Sequence, residues 1–249
     1  MNTTKESPHG TYRKTAIIVG VLYIIGTVAG VLSAVVFYGP ILNGPDYLIK
    51  VSANENQIVL GALCVLTMGL ALAMVAVMLF PILKKHNEAL ALGYVVFRGA
   101  LETVYYIALV ITRLLLIPLS QEFVKAGAPN ASYFQTLGAL LLQGHDYSIN
   151  PIGIIVFSLD ALMLYYVFYQ SKLIPRWISV WGFIAILMHV PIAFLIWFRL
   201  VSPGMSPTLF VMNFPILIQE MVMAVWLIVK GFNPSAIASG SAKIEIDGV

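Results

Sequence analysis

The chain has 249 residues, of which 60% are hydrophobic and only 10% charged, and its mean hydropathy is +0.92. A soluble domain carries about a quarter of its residues as charges, so this chain cannot cover a water-facing surface and reads as a polytopic membrane protein. A net charge of +3 spread along the chain builds no basic groove, which excludes nucleic acid as a partner. The one cysteine, Cys64, excludes an intramolecular disulfide framework or a thiolate metal cluster.

A bilayer core of about 30 Å takes roughly 20 apolar residues per helix, and six runs meet that length: 15–38, 57–83, 89–119, 151–170, 177–200 and 208–230. Residues 1–14 precede them as a cytoplasmic segment. The first run is too long for a signal-peptide core and reads as an uncleaved span. Gly39-Pro40 and Asn43-Gly44-Pro45 end it. Asn54-Glu55-Asn56 then stands at the mouth of the second span as a helix cap or as the rim of a cavity. The third run is long enough to tilt or to continue past the membrane. An outer loop follows over 120–150; its apolar stretch 133–142 is too short to cross and is expected as a helix along the interface, or as a segment that re-enters part-way. His145-Asp146 read as polar loop residues. The Ser-, Ala- and Gly-rich segment 231–249 is expected to be a disordered cytoplasmic tail. No run has the length or period of a barrel strand, and no repeat relates the first three spans to the last three. The expected fold is therefore all-α: one domain over 15–230, a bundle of six transmembrane helices.

Basic residues set the orientation. Lys5, Arg13, Lys14, Lys84, Lys85, Lys172, Arg176, Lys230 and Lys243 fall on one face, nine in all; Lys50, Lys125 and Arg199 are the three on the other. Both termini are expected inside the cell.

Counting from the ends of each span, the midplane falls at Glu102, Asp160, His189 and Gln219-Glu220, with Arg98 one turn from Glu102. An Arg or Asp at a helix centre costs about 2.5–3.5 kcal/mol on insertion scales, so four helices bringing such groups to one depth points to a meeting place. In the third span, Tyr94, Arg98, Glu102, Tyr105, Tyr106, Thr112 and Arg113 share an arc of roughly 120° at 100° per residue. That face should point into the bundle. One arginine against three carboxyls leaves an excess of two negative charges, and Arg113 lies eleven residues beyond Glu102, about 16 Å along the helix. The site is expected to hold protons on carboxyls, a protonated His189 or a bound cation.

Arg98, Glu102, Tyr105, Asp160, His189 and Glu220 are the candidate residues for binding a proton, a small cation or a polar small molecule, for transport or sensing. Arg98 would orient Glu102, Asp160 and Glu220 would carry the exchangeable proton or cation, and His189 would relay protons. Two alternatives use the same residues: a lipid-modifying or hydrolytic enzyme, and a structural protein whose polar groups only join helices. The pattern leans away from an enzyme. No His-x-x-x-His or His-Glu-x-x-His pair supports zinc, which leaves the metal question open, and no cofactor is identified. No Walker loop or Gly-x-Gly-x-x-Gly supports a nucleotide. The bilayer itself is the one partner the composition demands.

Several pieces stand in a familiar order. They are Gly20-x-x-Tyr23-x-x-Gly26-x-x-x-Gly30, Asn54-Glu55-Asn56, Leu92-Gly93-x-x-x-Phe97-Arg98-x-x-x-Glu102, Ser171-Lys172-Leu173-Ile174-Pro175-Arg176-Trp177, and Trp181-Gly182. Together they resemble the bacterial family catalogued as domain of unknown function 4386, over about residues 12–230. The resemblance implies a helical protein of the bacterial inner membrane and supplies no reaction, substrate or site.

Overall fold

The structure is a computed structural model that describes residues 8–127, 131–203 and 207–239, the side chains of 8–11 and 131 excepted. Among these residues there is no strand. Six helices are long and apolar enough to cross a membrane: Tyr12–Leu42, Glu55–Leu83, Glu88–Ala126, Ser132–Ser171, Arg176–Trp197 and Pro207–Val229. The fold is the all-α, six-span membrane bundle expected from the apolar runs.

Helix α1 (Pro8–Val31) continues through a π-helical stretch, Leu32–Tyr38, into α2 (Gly39–Leu42). A short α3 (Tyr47–Ala53) precedes α4 (Glu55–Leu83). The third span is built from α5 (Glu88–Tyr94), a π-helical stretch Val95–Leu101, α6 (Glu102–Leu114) and α7 (Leu116–Ala126). Asn87 starts it by accepting a hydrogen bond from the Leu90 N–H at 3.0 Å. Its 39 residues amount to about 58 Å of helix, so it projects well beyond one bilayer core.

The fourth span differs from the expected interfacial helix followed by a loop. Helix α8 (Ala131–Gly144) runs without a break through a π-helical turn, His145–Ile149, into α9 (Asn150–Ser171). Pro151 stands where the π-helical turn passes into α9, and such a widened turn is a usual companion of proline inside a continuous helix. Asn54 does not cap α4 with its side chain; its Nδ2 donates to the Lys50 carbonyl at 2.9 Å.

Helices α10 (Arg176–Trp197) and α11 (Pro207–Val229) complete the bundle. Packing follows chain order as a ring: α1 on α4, α4 on the third span, the third span on α9, α9 on α10, α10 on α11, and α11 back on α1. Two features close that last seam. A Cβ on Gly20 would stand 2.5 Å from the Ala224 carbonyl, so only glycine allows the helices this close. Arg13 donates to the terminal carbonyls of α11, at 3.0 Å to Leu227 O and 2.6 Å to Ile228 O, groups that have no partner within their own helix.

The segment expected to be disordered from residue 231 is ordered over its first part. Gly231 turns the chain at φ +75°, the Asn233 N–H donates to Leu173 O at 2.9 Å, and residues 234–239 are helical. Phe232, Ala236 and Ile237 are buried, with Phe232 beside the Phe168 ring. That apolar burial offsets the ordering entropy that the small, polar composition alone would not. The rest of the predicted tail, 240–249, lies outside the described residues.

Candidate functional site

The π-helical stretch Val95–Leu101 carries Arg98 into the centre of the ring. At its end the Glu102 N–H donates to the Phe97 carbonyl, five residues back rather than four. Such widenings are frequent at functional sites. Arg98 is 2% exposed and is gripped from several helices. Its Nη1 lies 3.1 Å from Glu102 Oε2 and 3.7 Å from Asp160 Oδ1, and its Nη2 lies 3.2 Å from Glu220 Oε1. The guanidinium is also 5.7 Å from the Tyr23 ring and 5.2 Å from the Phe157 ring, distances at which an aromatic face attracts a cation. Glu102 Oε1 takes a second hydrogen bond from the Tyr106 hydroxyl at 2.7 Å.

The polar bonding is incomplete. Arg98 Nε and Asp160 Oδ2 are buried without a hydrogen-bond partner. One guanidinium faces three carboxyls, an excess of two negative charges if all are ionised. The excess sits where a charge costs several kcal/mol to desolvate, by rough estimate. No group of three or more His, Cys, Asp or Glu among the described residues is arranged to hold a metal ion; Arg98 occupies the space between the three carboxyls.

A cavity of about 560 Å³ reaches this cluster from one side. Glu102 and Glu220 line it, whereas Arg98 and Asp160 lie behind its wall. Tyr105, Tyr106, His145, Asp146, Asn150, His189 and Asn213 supply the other polar groups, and Ile154, Phe157, Ile192 and Leu217 much of the apolar surface. Phe210 and Phe214 belong to the rim and are 63% and 46% exposed, so the cavity opens on the flank of the bundle, in the half away from Lys172 and Lys230.

Of the six residues expected at the site, the structure brings Arg98, Glu102, Asp160 and Glu220 together. Tyr105 and His189 stand apart from that contact but on the same cavity. The Tyr105 hydroxyl donates to Asn150 Oδ1 at 3.3 Å. His189 Nδ1 pairs with Ser158 Oγ at 3.1 Å and its ring meets Phe157 edge-on at 5.1 Å; with Asn213 as a further hydrogen-bonding neighbour, its polar contacts are a hydroxyl and an amide rather than a carboxyl.

Sequence reasoning missed two parts of this region. The Tyr23 and Phe157 faces that hold Arg98 carry no charge signal, although Tyr23 stands among the small-residue positions of the first span. At the cavity's far end, Arg113 Nη2 lies 3.5 Å from Asp146 Oδ1, and His145 Nδ1 lies 2.9 Å from the same oxygen. His145 and Asp146 read as loop residues only because the helix through them was not foreseen.

No curated protein and no solved structure matches this chain. One family model does, over residues 18–231, which span the whole ring from α1 to the end of α11. The chain therefore belongs to the family described as Domain of unknown function (DUF4386).

Proposed function

We propose that the midplane cluster binds protons or a small cationic solute that enters through the flank cavity, and that the protein serves transport or sensing in a bacterial inner membrane with its more basic end toward the cytoplasm. The observation that carries this reading is the charge imbalance: three carboxyls converge on one guanidinium, and two of them, Glu102 and Glu220, line a cavity. A ligand with a positive charge, or protons taken up by the carboxyls, relieves the imbalance at low cost. Arg98 holds the three carboxyls in place, Glu102 and Glu220 meet the ligand, and Asp160 supplies the further negative charge. The Tyr105 and Tyr106 rings offer faces that suit an ammonium group. His189 with Ser158 forms a separate polar wall.

The apolar rim at Phe210 and Phe214 favours a second reading, in which the ligand is an amphiphile taken from the bilayer and the same carboxylates act as acid and base in a lipid-modifying reaction.

The experiment is native mass spectrometry of the gently purified protein beside Glu220→Gln and Asp160→Asn. A cationic species bound to the wild type and lost from both folded variants supports the reading. A bound amphiphile that turns over moves it to the lipid enzyme. A species held equally by all three proteins removes the cluster from the account.

A further inference from the structure

Two further cavities lie toward the opposite end of the bundle, and neither Glu102 nor Glu220 lines them. The first, about 480 Å³, is walled by Lys172, Pro175, Arg176, Trp226, Lys230 and Asn233 among others. It gathers three cations and no acidic side chain among its lining residues. The second, about 420 Å³, is a groove along α11 made by Ile218, Met221, Val222, Val225 and Val229. Trp226 and Lys230 belong to both.

Local structure explains why the cations converge. Lys172 ends α9 in the left-handed conformation, φ 58°, and Pro175 opens α10 three residues later. The tight hinge, with Leu173 and Ile174 buried beneath it, sets Lys172 and Arg176 on one rim. Gly231 turns the chain away at the end of α11 and the Asn233–Leu173 bond ties that exit to the hinge, which brings Lys230 to the same rim. Arg176 donates from Nε to the Tyr169 carbonyl at 3.2 Å and its guanidinium lies 4.9 Å from the Tyr169 ring centre, which leaves the edge of its fork for an anion. No side chain caps the first N–H groups of α10, and the positive end of its dipole adds to the three charges.

The groove supplies the other half of a ligand. From Ile218 to Val229 is about 16 Å of helix, close to half of a bilayer core of about 30 Å. Trp177 stacks on Trp181 and meets Trp226 edge-on, each at 6.4 Å, and Trp177 is half exposed; such rings settle at headgroup depth. The basic pocket therefore lies at the headgroups and the apolar groove beneath it in the hydrocarbon.

We propose that these joined cavities bind one anionic phospholipid, its phosphate among Lys172, Arg176 and Lys230 and one acyl chain along α11. The site is independent of the midplane cluster. The test uses the full chain in a neutral detergent, titrated with phosphatidylglycerol, with phosphatidylcholine of the same acyl chains, and with glycerol phosphate as the free headgroup, followed by native mass spectrometry. Phosphatidylglycerol is expected to bind at least about tenfold more tightly than phosphatidylcholine, since each basic side chain near an anionic headgroup is worth about a factor of five. The paired change Lys172→Asn with Lys230→Gln should weaken phosphatidylglycerol about 30-fold and phosphatidylcholine much less, because the choline ammonium offsets the same phosphate; asparagine tolerates the left-handed backbone at 172. Val225→Trp, which fills the groove, should weaken both lipids. Equal binding of the two lipids by the wild type overturns the proposal, whatever the variants do. Glycerol phosphate binding as tightly as phosphatidylglycerol also overturns it, because the groove would then contribute nothing.

Discussion

Gln219 and Glu220 are neighbours on α11, yet they belong to polar networks of opposite character. Gln219 is fully buried and fully paired: its Oε1 accepts from the Tyr165 hydroxyl at 2.6 Å, and its Nε2 donates to the Ile178 carbonyl at 3.1 Å. No charge is involved, and three helices are joined at the cost of ordinary dipoles. Glu220 shares one guanidinium with two other carboxyls, leaves buried atoms unpaired around it, and borders a cavity. Helix glue inside a membrane is expected to resemble the first. The second pattern stores an imbalance that stability alone does not require, and ionisable groups of that kind inside a membrane mark working sites.

The comparison is best broken at Arg98. Arg98→Leu leaves three carboxyls without their cation, and breaking a buried ionic contact in this way costs about 3–5 kcal/mol. Thermal unfolding in detergent should show the largest loss of any single change, with part of it restored when Glu102→Gln is added.

Tyr165→Phe tests the neutral network. It strands Gln219 Oε1 in the core and should cost about 1–3 kcal/mol, while ligand binding at the cavity stays as in the wild type. Gly182→Ala attacks the same place by volume, since its Cβ would stand 2.6 Å from the Tyr165 ring. An overpacked core of this kind loses about 1–3 kcal/mol, again read by thermal unfolding.

Asp160→Asn sharpens the contrast most. Its carboxylate makes only the long 3.7 Å contact to Arg98, so the neutral amide should change unfolding by less than about 1 kcal/mol while removing charge-dependent binding. A clear loss of stability with binding unchanged would place Asp160 with the glue.

The smallest effect belongs to the surface. The Lys50 ammonium, 3.1 Å away, holds the Asp46 carboxyl below its ordinary value. A depressed folded-state value means that the pair supports folding above the ordinary carboxyl range and loses that support as pH falls through the lowered value. Because the pair lies at the surface, Asp46→Asn should leave the unfolding temperature unchanged within error at neutral pH.

The contrast also marks what could be read before the fold was known. Hydropathy and length locate six spans because a membrane demands long apolar helices. Counting inward from their ends puts Arg98, Glu102, Asp160 and Glu220 at one level, and an arc of helix surface puts Arg98 and Glu102 on the inner face. His189 shares their depth but turns to Ser158, a choice set by helix rotation that depth does not encode. The π-helical stretches at Leu32–Tyr38, Val95–Leu101 and His145–Ile149 have no compositional signature, so the continuous fourth span was hidden and Asp146 read as a loop residue. The cavity was hidden as well, because it depends on how far apart α9, α11 and the third span stand.

The central claim is that the midplane carboxyls are not all bare anions at rest. Infrared difference spectroscopy on the protein in lipid, across the pH range in which it stays folded and with added sodium, potassium or an alkylammonium salt, reads those carboxyls directly. The account predicts a protonated-carboxyl band, or a carboxylate band that shifts with one of the cations, altered in Asp160→Asn and Glu220→Gln. Carboxylate bands indifferent to pH, to every cation and to both substitutions would contradict it.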